Sequence, residues 1–299
     1  MALNPSVFKT RSLTALVFVV VMLTGLLWNQ ASFFILFSIV HFGAWYEYQK
    51  LMGVIHPEYA GINAFHRYGV MLAGWCLMWF FTNEGYHIGD LSFHAIGWWA
   101  GLVLLLVLPL IEIIVLRTIN VKNILYSALG LIYISLSLGL LTHIRTLFYG
   151  NIVNFWGLLL VLIIIGSIWI NDTMAYIVGS LIGKTPLSSI SPKKTWEGTL
   201  GGIILSVIVM GVIGYFFSRY VNRNAREADW GWISQWAIIA FIAAVTGTFG
   251  DLLESKLKRM AGVKDSGQLM PGHGGFLDRF DSLLVATPFV WLYVMYIVS

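Results

Sequence analysis

Nine apolar stretches divide the chain, near residues 13–29, 31–48, 68–83, 95–116, 124–145, 153–181, 199–218, 233–251 and 280–298. Each approaches the roughly 20 residues that a helix needs to cross about 30 Å of hydrocarbon. The polar breaks between them are short. The pattern predicts an all-α, polytopic integral membrane protein with about nine transmembrane helices. The first break is only Asn29-Gln30, which fits either a tight hairpin or one long interrupted segment. Lys9 and Arg11 precede the first span and no small-residue cleavage site follows them, so that span reads as uncleaved. A single membrane domain over 1–299 is expected. Hydrophobic helices make up its N-terminal half, residues 1–150, and residues 151–299 add polar loops to further helices.

Composition agrees with lipid as the solvent. Hydrophobic residues make up 58% and charged residues 11% of 299, and mean hydropathy is +0.80. A soluble domain of this size has no way to cover so much apolar surface. The lone Cys76 excludes an intrachain disulfide and argues against a cysteine metal site. A formal charge of +4 makes no case for nucleic acid, and none is expected as a partner. The distribution of charge says more. With nine spans and the N-terminus inside, the cytoplasmic segments hold all of the 18 Lys/Arg except Arg145, Arg219, Arg223 and Arg226. That bias places two polar loops, 183–198 and 252–279, together on the cytoplasmic side of the membrane.

Both loops and their flanks carry chemistry. Asp172 follows Asn171 inside an apolar span, where an ionised group needs a polar cavity or a partner. Ser191-Pro192-Lys193-Lys194-Thr195 offers two cations and a hydroxyl, although paired lysines also serve as plain membrane anchors. The glycines from Gly198 onward let a helix or a ligand approach closely. Asp251, Glu254, Ser255 and Lys258 have the spacing of one helix face, and so do Asp278 and Asp281. Carboxylates gathered at a membrane edge repel one another unless a cation joins them, and Mg²⁺ prefers such oxygen ligands together with phosphates. Lys258, Arg259, Lys264 and Arg279 suit phosphate oxygens. Gly274 and Gly275 form a turn able to expose backbone N–H groups to an anion. His273 reads as a base, a phosphate donor or a turn residue. These features point to phosphoryl or nucleotidyl transfer on a lipid.

The motifs go further. Ser255-x-Leu257-Lys258-Arg259, then Lys264-Asp265-x-Gly267, then Pro271-x-His273-Gly274-Gly275-Phe276-x-Asp278-Arg279-Phe280-Asp281 resembles the signature of phosphatidate cytidylyltransferases. Asn171-Asp172-Thr173-x-Ala175-Tyr176 and Ser191-Pro192-Lys193-Lys194-Thr195-x-Glu197-Gly198 resemble that family in the same order. Met270 departs from the family's usual Leu, Ile or Phe, one apolar residue for another. The resemblance covers about 150–299. It implies transfer of a cytidylyl group from CTP to phosphatidic acid at a bacterial inner membrane, with the site facing the cytoplasm. It also implies Mg²⁺, with room for a second cation. Asp251 and Asp278 are the expected main metal ligands, with Asp281 and Asp172 as further ones. Lys193, Lys194, Lys264 and Arg279 are expected at the CTP phosphates, and Lys258 and Arg259 at the lipid headgroup. Asp265 either joins them or orients Lys264.

Two rival readings remain open from the sequence. A CTP-dependent lipid kinase of the polyprenol or phytol type would transfer the γ-phosphoryl group instead. A transporter would use Asp172 and Asp251 as coupling-ion sites, but its polar residues would cluster near mid-bilayer rather than on one side. The glycines of 198–214 allow either helix contacts within the chain or a homodimer.

Overall fold

The computed structural model describes residues 5–82, 86–115, 120–147, 155–221, 229–268 and 274–298. They form two compact units, residues 1–158 with 257–280, and residues 159–256 with 281–299. Helices α1 (Pro5–Leu27), α2 (Gln30–Ile55), α3 (Pro57–Ala60) and α4 (Ala64–Phe80) come first. A two-residue hairpin follows, β1 (His87–Ile88) on β2 (Leu91–Ser92). Next are α5 (Phe93–Val115) and α6 (Val121–Gly130), a π-helical turn at Leu131–Leu136, and α7 (Ser137–Thr146). The chain continues with α8 (Phe155–Ile182), α9 (Trp196–Val221), α10 (Trp230–Met260) and α11 (Leu277–Val298).

Every expected span falls on a helix, and six of these helices have the length and composition of a crossing among the described residues. Among the described residues six helices are long and apolar enough: Phe93–Ile114, Val121–Thr146, Phe155–Ile182, Trp196–Val221, Trp230–Met260 and Leu277–Ile297. Leu16–Leu27 is a shorter apolar helix. The six longer helices are among the nine expected spans, and the count of about nine is not confirmed by length and apolarity. Helix α4 has only 17 residues. Helix α2 has the length, but it carries His41, Glu47, Gln49 and Lys50, and the first three are buried inside the protein.

The break at Asn29 is a hairpin. The Asn29 side chain accepts from Ser32 N at 2.7 Å, and Ser32 Oγ accepts from Asn29 N at 3.1 Å. This reciprocal cap starts α2. Gly25 then lies against Leu36, where an added Cβ would come within 2.6 Å of that side chain.

The first unit is held by packed aromatic rings and by polar pairs buried among them. Trp45 Nε1 donates to Ser135 Oγ at 2.8 Å, and His41 Nε2 lies 2.9 Å from the same hydroxyl. The π-helical turn presents Ser135 at this position. A second network joins α3, α4, α5 and α6. His66 Nδ1 is 2.5 Å from Glu112 Oε1, and His66 Nε2 is 2.7 Å from Ser127 Oγ. Tyr59 OH is 3.0 Å from that hydroxyl. A carboxylate facing Nδ1 makes that nitrogen the donor of the pair. Glu112 thus anchors a network that joins four helices.

Small residues build the second unit. Gly198, Gly201 and Gly202 of α9 meet Gly179, Val178 and Ala175 of α8, and an added Cβ on Gly202 would sit 2.7 Å from the Asn171 carbonyl. Ser206 Oγ donates to Ser167 O at 2.9 Å across the same seam. Gly214 faces Trp236, which is buried. These glycines serve close helix packing inside the chain.

Replacing Glu112 with Ala removes the acceptor of a buried His66 donor. Unfolding in detergent should show a loss of about 2 kcal/mol. A loss under about 0.5 kcal/mol would mean that the network is not structural.

Candidate functional site

The signature loop is fixed by two carboxylates of the first unit. Glu47 on α2 is buried. Its Oε1 accepts from Phe276 N at 2.9 Å, and its Oε2 accepts from Leu277 N at 2.9 Å. Those N–H groups belong to the first turn of α11, where the helix itself offers them no acceptor. A carboxylate from another helix therefore caps α11, where the dipole favours negative charge. Asp278 completes the clamp. Its Oδ2 accepts from Ser266 N at 2.9 Å and from Gly275 N at 2.8 Å, and its Oδ1 accepts from Lys258 Nζ at 2.6 Å. The Ser266 hydroxyl lies 2.8 Å from Glu47 Oε2 and 2.9 Å from Asp278 Oδ2, bridging the two acids.

This geometry explains the glycines of the signature. Gly275 and Gly267 lie directly against the Glu47 carboxylate, so a Cβ at either position would displace it. Gly274 has φ +80°, a conformation that only glycine adopts without strain. Sequence reasoning missed Glu47 because it lies far from every motif. The signal was present, an acid inside an apolar segment, as at Asp172.

The second unit holds the other cluster. Glu197 accepts from Lys184 N at 3.1 Å and from Thr185 Oγ1 at 2.9 Å. Leu187 N donates to Lys194 O at 2.7 Å, and Trp196 N donates to Thr185 O at 2.9 Å. The loop 184–196 is thereby folded back on itself at the start of α9, and Lys194 is aimed at α10. Its Nζ pairs with Asp251 Oδ2. Ser255 Oγ donates to Asp251 Oδ1 at 3.2 Å, as the one-face spacing on α10 requires.

Lys194 and Asp251 border a cavity of about 510 Å³. Asn171, Asp172, Lys193, Lys194 and Asp251 line it, with Ser191, Thr195 and Thr248. Five expected site residues from three separate stretches of sequence therefore meet in one place. The Asn171 side chain is nearly buried, its Nδ2 donates to Asp172 Oδ1 at 3.3 Å, and its Oδ1 has no hydrogen-bond partner. Asp281 packs by its backbone on Gly250, next to Asp251, but does not line the cavity.

The remaining expected residues are distributed as follows. Asp278 belongs to the first unit, and Asp251 and Asp281 to the second. Among the described residues no three His, Cys, Asp or Glu side chains form a ready metal cluster. Lys258 is engaged by Asp278. Arg259, Lys264, Asp265 and Arg279 are exposed. His273 lies outside the described residues.

Comparison with known proteins adds an independent line. The model of the cytidylyltransferase family matches residues 9–297. A protein of Haemophilus influenzae named phosphatidate cytidylyltransferase is 35% identical over 222 residues, covering 71% of this chain and 74% of that protein. A protein of the same name from Synechocystis sp. is 43% identical over 139 residues, 46% of this chain and 44% of that protein. One from Staphylococcus haemolyticus is 45% identical over 122 residues, 40% and 43% of the two chains. The last two alignments span less than half of each relative.

If Glu47 holds the loop, Glu47→Ala frees the amides of Phe276 and Leu277. Their hydrogen exchange should speed up by about tenfold or more, equivalent to about 1.4 kcal/mol of lost protection. Unchanged exchange would assign the loop's order to other contacts.

Proposed function

This chain belongs to the cytidylyltransferase family, and we propose that it transfers a cytidylyl group from CTP to phosphatidic acid, forming CDP-diacylglycerol and pyrophosphate. The observation that carries this reading is the convergence of Asn171, Asp172, Lys193, Lys194 and Asp251 on one cavity. Its volume of about 510 Å³ falls within the range of small-molecule sites.

The chemistry brings two anions together, so positioning and charge dominate. An oxygen of the phosphatidate phosphate forms the new bond to the α-phosphorus of CTP. The bond from that phosphorus to the α–β bridging oxygen breaks, and pyrophosphate leaves. The attacking monoester is already ionised near neutral pH, so no strong base is needed. Lys193 and Lys194 supply the cavity's cations for the triphosphate. Lys194 is held ready by Asp251 and exchanges that partner for phosphate. Arg259, Lys264 and Arg279 are further proposed contacts to substrate phosphates, with Asp265 orienting Lys264. The Glu47 and Asp278 clamp keeps the loop that carries Lys264 in place.

The donor set fits a hard divalent cation. Asp172 and Asp251 line one cavity with Asn171, whose buried Oδ1 has no hydrogen-bond partner, and these oxygens would hold Mg²⁺. A bound Mg²⁺ would supply positive charge against the phosphates. Asp281 supports the Asp251 turn from behind. We place the cavity at the cytoplasmic face of a bacterial inner membrane, on the strength of the lysine and arginine distribution.

Purified protein with labelled CTP should label lipid only when phosphatidate and Mg²⁺ are both present, and EDTA should abolish the signal. The products should be a CDP-lipid and pyrophosphate. A phosphorylated lipid with CDP would mean a lipid kinase instead. Asp251→Asn and Asp172→Asn should each lower turnover by about a hundredfold or more while the protein still inserts. Near-normal turnover in both would remove the metal assignment.

A further inference from the structure

The first unit contains a second cavity that the transfer reaction does not use. It has a volume of about 1020 Å³ and runs beside the N-terminal half of α2. One end is polar, formed by Asn29, Gln30, His87 and Arg145. Its length is apolar and aromatic, with Ile35, Ile39, Phe42, Trp75 and Trp79 among its walls.

Arg145 is the unusual member. It is only 5% exposed. Its Nε and Nη1 are buried without a hydrogen-bond partner, and it forms no salt bridge among the described residues. Among the described residues its guanidinium lies over the Phe33 ring, 5.9 Å from the ring centre. A ring face offsets a small part of what a guanidinium loses on leaving water. A buried arginine in this state calls for an anion, and its planar fork matches phosphate oxygens.

The cavity also has a position. Phe33 precedes Glu47 by fourteen residues on α2, about 21 Å along a helix. The arginine therefore lies at the end of α2 remote from the signature loop. Exposed Trp28, which lines the same end, has the placement of a membrane-interface aromatic. A charged pocket at the interface with a long apolar wall is shaped for one lipid molecule, headgroup at Arg145 and acyl chain along Ile35, Ile39 and Phe42.

We propose that this cavity is a binding site for an anionic phospholipid, distinct from the lipid substrate site. The lipid's phosphate supplies the counter-ion that Arg145 lacks, and the site sits at the membrane face opposite the signature loop.

Native mass spectrometry of delipidated protein tests this, with phosphatidylglycerol as the anionic probe and phosphatidylcholine as the neutral one. Phosphatidylglycerol is neither substrate nor product of the proposed reaction. The wild type should retain one phosphatidylglycerol in preference to phosphatidylcholine. Arg145→Met should lose that preference by about tenfold and remain folded, because the change removes a buried charge rather than an apolar contact. Ala31→Phe, which fills the cavity and leaves the arginine, should lose retention as well. Asp251→Asn should keep it, which separates this site from the proposed catalytic one. Glu84, outside the described residues, is the acid of the segment between Thr82 and the cavity residue Tyr86, so Glu84→Gln should leave retention unchanged. Equal retention of the two lipids, full retention in Arg145→Met, or a gain in Glu84→Gln would overturn the proposal. The last result would make Glu84 the counter-ion.

Discussion

A carboxylate buried among apolar helices must find donors or a cation, and this requirement organises the site. Glu47 and Asp278 meet it with backbone N–H groups, the Ser266 hydroxyl and Lys258. In doing so they hold Gly267, Gly274 and Gly275 close against the two carboxylates. Asp251, which is only part-buried, pairs with Lys194 and Ser255. Each acid recruits a polar segment to a defined place, and the segments recruited are those bearing the signature residues.

Ordinary helix packing supports this arrangement. Lipid gives helices no hydrophobic reason to associate, so close contact and hydrogen bonds must hold them. The seam between α8 and α9 uses glycines and a Ser206–Ser167 bond. That seam brings Asn171 and Asp172 to the same level as the start of α9, and hence to Lys193 and Lys194. The cavity follows from small side chains as much as from charged ones. Glycine at 198 or 202 is needed for packing, whatever the chemistry beside it.

Much of this was legible in the sequence, and the reasons differ by residue. The helices announced themselves as apolar runs. Asp172 stood out as an acid inside one, and Lys193 and Lys194 as a pair in a polar loop. Their meeting with Asp251 could be expected from the family resemblance but not from spacing, because three stretches separated by up to 79 positions must fold together. Glu47 was overlooked because its partners lie more than two hundred positions away. Asp278 was expected as a metal ligand from the family resemblance, and the loop donors that engage it, Ser266, Gly275 and Lys258, were not legible in the spacing. The number of membrane crossings is less legible: six helices meet the length and apolarity of a crossing among the described residues, and α2 hides polar side chains within the protein, which hydropathy alone does not reveal.

The account's central claim is that Asp172, Asp251 and Asn171 make an oxygen-lined cation site at the triphosphate. Electron paramagnetic resonance of Mn²⁺ measures this directly in purified protein with CTP. The wild type should remove about one equivalent of free Mn²⁺ signal per chain, and Asp172→Asn and Asp251→Asn should each remove far less. Uptake by either variant equal to the wild type would contradict the claim.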